Sequence, residues 1–583
     1  MDAKQFLPMG YNLLFTMGRH RWVLRTTDRQ KAQQLAKELN LSPTVASLLV
    51  ARGYTDAQSA YKFIHPSLSD LADSRLLPDL EPIVRRLACA VENKEPILVY
   101  GDYDVDGVSS TALWVTTFRR LKVPAEPFVP HREREGYDLN AESALRGARR
   151  IGAKLVLTCD CGIRAHQAVQ ELQAHGIEVL ITDHHEPADT LPSASAIVNP
   201  KRSDSRYPFR DLCGAGVSYR VAEALLTELK ISLNGFQRRM LELVALGTVA
   251  DVMPLVGENR VLVKYGLDYL QQSKWVGLNA LKAVSGVGKR PLNTRDIGFG
   301  LAPRLNAVGR LEDAVSALQL LLSDDSEVAR ALAQQLDQHN QERRALQEEA
   351  FQEAIAQVEA EGLTRHRALV VHSEGWHHGI VGLVASKLVN RYHRPAFATT
   401  IDPVGGVARG SIRSIPAYDL KPLLAQMKPL CIKCGGHALA GGFSVDLERF
   451  ETLRQTILEH ANTTLTDEDL VPTLEVDMEV RGSEVNTRLL TELTLLEPFG
   501  VGNENPLFMC REVEILGSHT SRDGKHLFLK LRPEGSVVLE GVIWGGGDYP
   551  IEPSTQLNLL FRPEIDTFNG HGLIRWVIED FEE

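Results

Sequence analysis

The chain has 583 residues and a mass of 64.6 kDa, which at about 150 residues per domain points to roughly four domains rather than one compact core. Its 44% hydrophobic, 24% charged and 6% aromatic content is globular, which excludes a disordered, collagen-like or coiled-coil chain. A net charge of -11, from 64 basic and 75 acidic residues, excludes a polycation that holds nucleic acid by bulk charge, so any such groove must be local.

Residues 1–75 carry a helical pattern with turn-like Gly53 and Pro66 and no recognisable chemistry, and read as an N-terminal appendage. The apolar run from Phe6 to Met17 follows Asp2 and lacks a small-residue cleavage site, and no stretch reaches the ~18 uncharged apolar residues of a membrane helix. Neither secretion nor membrane insertion is expected. Seven cysteines, an odd number spread over a long chain, argue against a disulfide framework and for a cytoplasmic protein.

From Pro96 the pattern becomes short apolar runs, each followed by a polar turn and an amphipathic stretch, as a parallel βαβ array requires. Strands are expected at Ile97–Tyr100, Pro127–Pro130, Leu155–Thr158 and Val179–Thr182. Residues 212–265 read as mostly helical, and the charged stretch 312–362 as a long helix joining two domains. A second, glycine-rich α/β segment runs from Ala368 to about His460, with strands at Leu369–His372, Ala396–Thr400 and Gly442–Val445. Beyond Asn462 the hydrophobic period falls to two, which predicts a small β domain of five or six strands, the size of an OB-type barrel.

The most informative segment is Ile97-Leu-Val-Tyr-Gly-Asp-Tyr-Asp-Val-Asp-Gly107, where an apolar strand breaks into three carboxylates at alternate positions, Asp102, Asp104 and Asp106. Like charges so close repel unless a cation sits among them. A calcium EF-hand loop also begins Asp-x-Asp-x-Asp-Gly, but it needs a glutamate at its twelfth position, where this chain has Leu113. Two further predicted strands end in Thr158-Cys-Asp160-Cys and Thr182-Asp183-His184-His185, and Asp251 ends an apolar helical run. A single aspartate at a strand end is ordinarily a helix cap or turn former. Carboxyl ends of parallel strands, however, line one crevice, so these segments are expected to converge. Oxygen ligands with one or two imidazoles suit Mn²⁺ or Mg²⁺. Neither Cys159/Cys161 nor Cys431/Cys434 has a second cysteine pair at ribbon spacing, which argues against zinc.

The motifs GDYDVDG, CDCGI, DHH and GTVADVMPL, in this order, resemble those of the DHH phosphoesterase superfamily, and within it the single-strand-specific DNA exonucleases. DIGFG (296–300), PRLNAVGR (303–310), EGWHHGIVG (374–382), GSIRS (410–414) and GGHALAGGF (435–443) extend the resemblance, which covers about 70–583. It implies a parallel-sheet α/β metal domain (76–310), a connecting long helix (311–365), a second, substrate-binding α/β domain (366–465) and an OB-like nucleic-acid-binding β-barrel (466–583). It also implies two Mn²⁺ or Mg²⁺ ions held by Asp104, Asp106, Asp160, His184 and Asp251, with Asp160 bridging them and Asp102, Asp183 and His185 completing or orienting the site. Two residues depart from the pattern: Cys161 stands where the family has Asn or His, and Ile412 where it has glycine.

Between Pro403 and Ala440 the basic residues Arg409, Arg413, Lys421, Lys428 and Lys433 face one acid, Asp419, amid glycines that let backbone N–H groups approach phosphate. The resemblance puts Ser411, Arg413 and His437 on the substrate, with Arg304 and Asn306 expected at the same cleft. Phe508, Phe528, Trp544, Phe561, Phe568 and Trp576 lie along the β domain, most expected in its core and some free to stack bases.

The activity implied is metal-dependent hydrolysis of single-stranded DNA from the 5′ end in repair and recombination, by a monomer working with a single-strand-binding protein and a helicase. Two rivals share the metal motifs or the fold. One is a small-molecule enzyme acting on short oligonucleotides, cyclic dinucleotides or pyrophosphate, which would not need the β domain. The other is a noncatalytic replication scaffold, which would not need the full set of carboxylates.

Overall fold

The computed structural model describes residues 20–131, 134–136, 138–311, 314–534, 536–566 and 572–583, so the run Phe6–Met17 and Phe568 lie outside the described residues. The chain divides into two compact units, one made of residues 66–343 with 498–503, the other of residues 1–65, 344–497 and 504–583. Among the described residues no helix is long and apolar enough to cross a membrane.

Strand β1 (Arg21–Leu24) and helices α1 (Arg29–Leu39), α2 (Pro43–Ala51) and α3 (Ala57–Ile64) open the chain. They pack as part of the unit that holds the C-terminal barrel. β1 pairs in parallel with β12 (Thr473–Val476), Trp22 donates to the buried Asp580 at 2.8 Å, and Arg52 donates to the Glu504 carbonyl at 2.7 Å.

In the unit of residues 66–343, α4 (Leu80–Asn93) leads into β2 (Ile97–Gly101), α5 (Val105–Leu121), β3 (Ala125–Phe128), α6 (Ala141–Ile151), β4 (Leu155–Cys159), α7 (His166–Ala174), β5 (Glu178–Thr182) and β6 (Ala196–Val198). These strands form one parallel sheet in the order β3-β2-β4-β5-β6. Alternate residues serve different cores: Ile97, Val99, Leu155 and Leu157 face one apolar cluster, while Leu98, Tyr100, Val156 and Val179 face the other. Burial on both faces is why the strands read as continuous apolar runs. The second strand sits two residues earlier than expected, at Ala125–Phe128 rather than Pro127–Pro130. There it is pinned by pairing with β2, Ile97 opposite Ala125, and Pro130 lies beyond the ladder. Helices α8 (Gly214–Glu228), α9 (Phe236–Ala250), α10 (Gly257–Gln271), α11 (Val276–Ser285), α12 (Ala302–Leu311) and α13 (Val315–Leu322) complete this unit.

The chain passes between units within α14 (Ser326–Ala360), the long charged helix. The second α/β segment follows with β7 (Leu369–Ser373), α15 (Val381–Tyr392), β8 (Ala396–Asp402), β9 (Val407–Arg413), α16 (Leu420–Met427), β10 (Lys433–Gly436), β11 (Ala440–Asp446) and α17 (Leu447–Thr464). Its sheet runs β10-β11-β9-β8-β7, with only the β7–β8 pair parallel. The glycine-rich stretch around Ser411, which reads as a loop in sequence, is the central strand β9, paired with β8 and β11. Ile412 accordingly points into the core and is fully buried, so it fills apolar space.

After β12 come β13 (Met478–Glu479), α18 (Thr487–Leu493), β14 (Phe508–Thr520), β15 (Leu527–Arg532), β16 (Leu539–Ile543), β17 (Gln556–Asp566) and β18 (Leu573–Glu582). The order β14-β15-β16-β18-β17, closed by β14 pairing with β17, is a five-stranded OB-type barrel. Phe508, Phe561 and Trp576 fill its core, the last two stacked 3.6 Å apart, whereas Trp544 is 41% exposed.

Candidate metal centre and substrate-binding residues

β2 and β4 are neighbours, but the chain leaves β2 toward β3 on one side and β4 toward β5 on the other. A crevice opens at such a switch point, outside the carboxyl ends of the strands. Asp102, Asp104 and Asp106 follow β2, Asp160 follows β4, and Asp183, His184 and His185 follow β5, all at that edge. Asp251 arrives from elsewhere as the residue that ends α9.

The ligand atoms meet in three overlapping groups, each within 4.8 Å: Asp102, Asp104 and Asp160; Asp106, His184 and Asp251; and Asp160, His184 and His185. His184 Nε2 lies 3.0 Å from Asp160 Oδ1, 3.6 Å from Asp251 Oδ2 and 3.8 Å from Asp106 Oδ2. Asp160 belongs to two of the groups and holds a left-handed backbone, φ 64°, a strained conformation for a non-glycine residue that only a well-packed surround maintains.

The electrostatics show what such a cluster requires. Burial, and then the neighbouring carboxylates, pushes Asp102, Asp160 and Asp251 well above the usual carboxylate range and Asp106 to about 6. Asp102 Oδ1, Asp160 Oδ1 and both nitrogens of His184 are buried without a hydrogen-bond partner. Buried, unsatisfied oxygens facing one another are costly unless a cation accepts them. Burial also lowers His184 to about 3, keeping its imidazole neutral, the form that binds metal. The donor set is hard oxygen with imidazole, and it fits Mn²⁺ or Mg²⁺.

Supporting contacts fix these side chains. Asp104 caps α5, accepting from Gly107 N at 2.9 Å. Asp106 accepts from Gly214 N and Ala215 N, the first turn of α8, at 2.6 and 2.9 Å. Two glycines make room: a Cβ on Gly214 would lie 2.6 Å from Asp160 Cβ, and one on Gly247 would lie 2.2 Å from Asp106 Oδ1. Asp183 belongs to none of the three groups. It accepts from the backbone of Ile163 and His184 at 2.9 and 2.7 Å, and from His185 Nδ1 at 2.8 Å. Burial raises Asp183, but the His185 bond and charge outweigh it and hold it at about 2. For His185 burial pulls the other way, and Asp183 carries it to about 9. Asp183 thus orients the His185 ring beside the carboxylates. Cys161 is buried, its Sγ 3.8 Å from the Tyr100 carbonyl, a weak contact where an Asn or His would bond strongly.

Gly214, Ala215, Gly247 and Asn199, whose amide donates to the His185 carbonyl at 2.9 Å, escape sequence reasoning. The first three act through backbone or through absent side chains, and Cys-Gly-Ala-Gly carries no charge to mark it, while Asn199 is an uncharged residue outside any motif. Of the expected substrate residues, Arg304 is committed elsewhere, with Nε 2.8 Å from Asp337 and another nitrogen donating to the Gly300 carbonyl at 2.6 Å. Asn306 is half-buried on the same helix. A Cβ on Gly309 of that helix would lie 3.1 Å from the Tyr103 carbonyl, so α12 packs against the carboxylate loop. Ser411 and Arg413 lie in the other unit, beside the first turn of α15, where a Cβ on Gly382 would lie 3.4 Å from Ser411 Oγ and 3.3 Å from an Arg413 nitrogen. His437 is exposed in the turn between β10 and β11.

Residues 96–248 match the DHH family N-terminal domain, residues 366–463 the DHHA1 domain and residues 476–580 the RecJ OB domain. The single-stranded-DNA-specific exonuclease RecJ of Bacillus subtilis is 37% identical over 567 residues, covering 96% of this chain and 70% of that protein. The protein of the same name from Escherichia coli is 32% identical, covering 96% of this chain and 98% of that one. A crystal structure of RecJ in complex with Mn²⁺ from Thermus thermophilus superposes with a TM-score of 0.83 at 29% identity, covering 97% of this chain and 80% of that one. With likeness of this extent running through the metal-binding unit, the second α/β segment and the barrel alike, the chain belongs to the RecJ family.

Proposed function

We propose that the chain is a metal-dependent exonuclease that hydrolyses the phosphodiester bonds of single-stranded DNA from the 5′ end, in DNA repair and recombination. The observation that carries this reading is the meeting of Asp102, Asp104, Asp106, Asp160, His184 and Asp251, from separate stretches of chain, in overlapping cation-sized groups. A noncatalytic scaffold has no use for buried carboxylates that repel one another, and the RecJ relatives are named for single-stranded-DNA exonuclease activity.

Asp104, Asp106, Asp160, His184 and Asp251 would hold two Mn²⁺ or Mg²⁺ ions, with Asp102 beside them. Such a pair supplies an activated water and neutralises charge on the leaving oxygen. The N–H groups of Gly214 and Ala215 hold Asp106 in place, and Asp183 fixes the orientation of His185 and raises its pKa. In the other unit, Ser411, Arg413 and His437 bind strand phosphate, Ser411 and Arg413 beside the first turn of α15, since a helix N-terminus favours an anion.

The barrel distinguishes a polymer enzyme from a dinucleotide hydrolase. Phe528 stacks on His519 with ring centres 5.3 Å apart, and Trp544 packs edge-on against His526 at 4.9 Å. Phe528 lies on β15 and Trp544 just past the end of β16, the second and third strands of the barrel, on which OB folds take single strands. Single-strand specificity requires unwound ends, which is the reason for assigning a helicase and a single-strand-binding protein as partners of a monomeric enzyme. All seven cysteines are free thiols, in keeping with a cytoplasmic protein.

The test is degradation of end-labelled single strands blocked at the 5′ or the 3′ end, with Mn²⁺ or EDTA. Loss of activity on 5′-blocked strands alone, abolished by EDTA and by Asp160→Ala, is expected. Equal degradation of both substrates, or substantial Mn²⁺-dependent activity in Asp160→Ala, would overturn the reading.

A further inference from the structure

The five basic residues that cluster in sequence between Pro403 and Ala440 are separated by the sheet. Along β9, Ala408 and Ile412 are buried in the core, and the space beside Gly410 is filled by Phe443. Arg409, Ser411 and Arg413 therefore share the opposite, outer face, because side chains alternate along a strand. Lys421 and Lys428 belong with α16, which packs on the inner face, where Leu424 lies 3.5 Å and Ile412 3.4 Å from the Cβ position of Gly441.

Cross-strand register continues the outer face over β11 and β10. Arg413 pairs with Ala440, Ser411 with Gly442 and then Gly435, and Arg409 with Ser444 and then Lys433. Arg409 and Lys433 are both exposed, and neither has an ion pair or side-chain hydrogen bond among the described residues. They flank the Ser444 hydroxyl, about 5 Å of sheet spacing to each side. Between this cationic row and Arg413 the floor is bare backbone: a Cβ on Gly435 would meet nothing within 4 Å, and one on Gly442 only the Gly410 carbonyl at 3.5 Å. One row beyond Arg409, Val407 is flanked by Asp402 and Asp446, whose carboxylates end the positive strip.

Residues on one face of a strand recur every ~6.7 Å, and an extended nucleotide spans roughly 7 Å, about twice the 3.4 Å rise per strand of a duplex. We propose that the outer face of β9, β11 and β10 is a track for the sugar-phosphate backbone of a single strand, with Arg409, Ser444 and Lys433 seating a phosphate one to two nucleotides from the one at Ser411 and Arg413. The inference deepens the single-strand reading and rests on it. It assigns Arg409 and Lys433 as binding residues and sets the length of strand this domain holds.

The test compares Arg409→Ala/Lys433→Ala with Lys421→Ala/Lys428→Ala, which removes the same charge from the helix on the inner face. Binding of labelled dT12 and dT2 is measured in EDTA over a salt series, with hydrolysis of dT12 by the wild type in Mn²⁺ as control. The track variant should bind dT12 at least ten-fold more weakly, lose much less affinity for dT2, and have its salt slope reduced by about 0.7, the value for one phosphate on a single strand. The α16 variant should change dT12 affinity less than two-fold. Equal weakening by both variants, an unchanged salt slope in the track variant, or equal loss on dT2 and dT12 would overturn the track. A wild type that binds dT12 but does not degrade it would sink the exonuclease reading and leave the track standing.

Discussion

Gly214→Ala tests the metal centre without touching any charged group. The added Cβ would stand 2.6 Å from Asp160 Cβ and 2.7 Å from its Oδ1, where carbon contacts are ordinarily about 3.5 Å or more. Something must therefore yield by about 1 Å. If Asp160 yields, a carboxylate shared by two ligand groups is displaced. If α8 yields, its first N–H groups lose their 2.6 and 2.9 Å bonds to Asp106. Loss of such supporting contacts costs ~10–100-fold in metal affinity, and a misplacement of about 1 Å in a catalytic constellation costs ~100-fold in rate. Hydrolysis of a labelled single strand, titrated with Mn²⁺, should show a half-saturating concentration raised at least ten-fold and a kcat lowered about 100-fold. Gly216→Ala is the control: its Cβ meets Leu212 at 3.4 Å, ordinary contact, and alanine in a helix stabilises by about 0.5–1 kcal/mol over glycine. Wild-type Mn²⁺ dependence and rate in Gly214→Ala, or an equal loss in Gly216→Ala, would refute the reasoning.

Mn²⁺ at about 100 times its Kd should stabilise the protein by about 2.7 kcal/mol, raising the melting temperature, and EDTA or Asp160→Asn should remove the effect; a melting temperature indifferent to Mn²⁺ would count against the cluster as a cation site. Glu242, buried on α9 and accepting from Ser273, is raised by that burial from 4.5 to about 7. Its folded pKa exceeds the unfolded one, so its contribution is present below pH 4.5 and is lost as pH rises through 7, by about 3 kcal/mol. Glu242→Gln should accordingly raise the melting temperature at pH 8 much more than at pH 4, and an equal shift at both would disprove the assignment. Trp544→Ala should weaken binding of long single strands by about 1–3 kcal/mol, the value of one stacked base, as measured by titration, and unchanged affinity would remove the barrel surface from the strand's path.

Local pattern made the parallel sheet legible, because strands buried on both faces must be apolar throughout and each is followed by a turn and a helix. The carboxylates were legible for the same reason: Asp102, Asp104, Asp106, Asp160 and the Asp183-His184-His185 group all stand directly after such runs. The barrel showed itself by its period of two. β9 did not, since Gly-Ser-Ile-Arg-Ser has the composition of a loop and becomes a strand only through pairing with β8 and β11. The N-terminal segment looked like an appendage because nothing local announces that β1 pairs with β12, some 450 residues away.

The order of residues along the chain determined which side chains carry charge and at which strand ends they stand, since those follow from alternation and turn chemistry within a few positions. The resemblance named Asp251, but only tertiary structure brings it from the end of α9 to the others and shows that Gly214 and Gly247 clear space for the carboxylates. It also ties Arg304 to Asp337 and leaves Arg409 and Lys433 with Arg413 on a face that Lys421 and Lys428 do not share. Distances between remote segments depend on how sheets register and helices pack, and neither quantity is written in any short stretch of sequence.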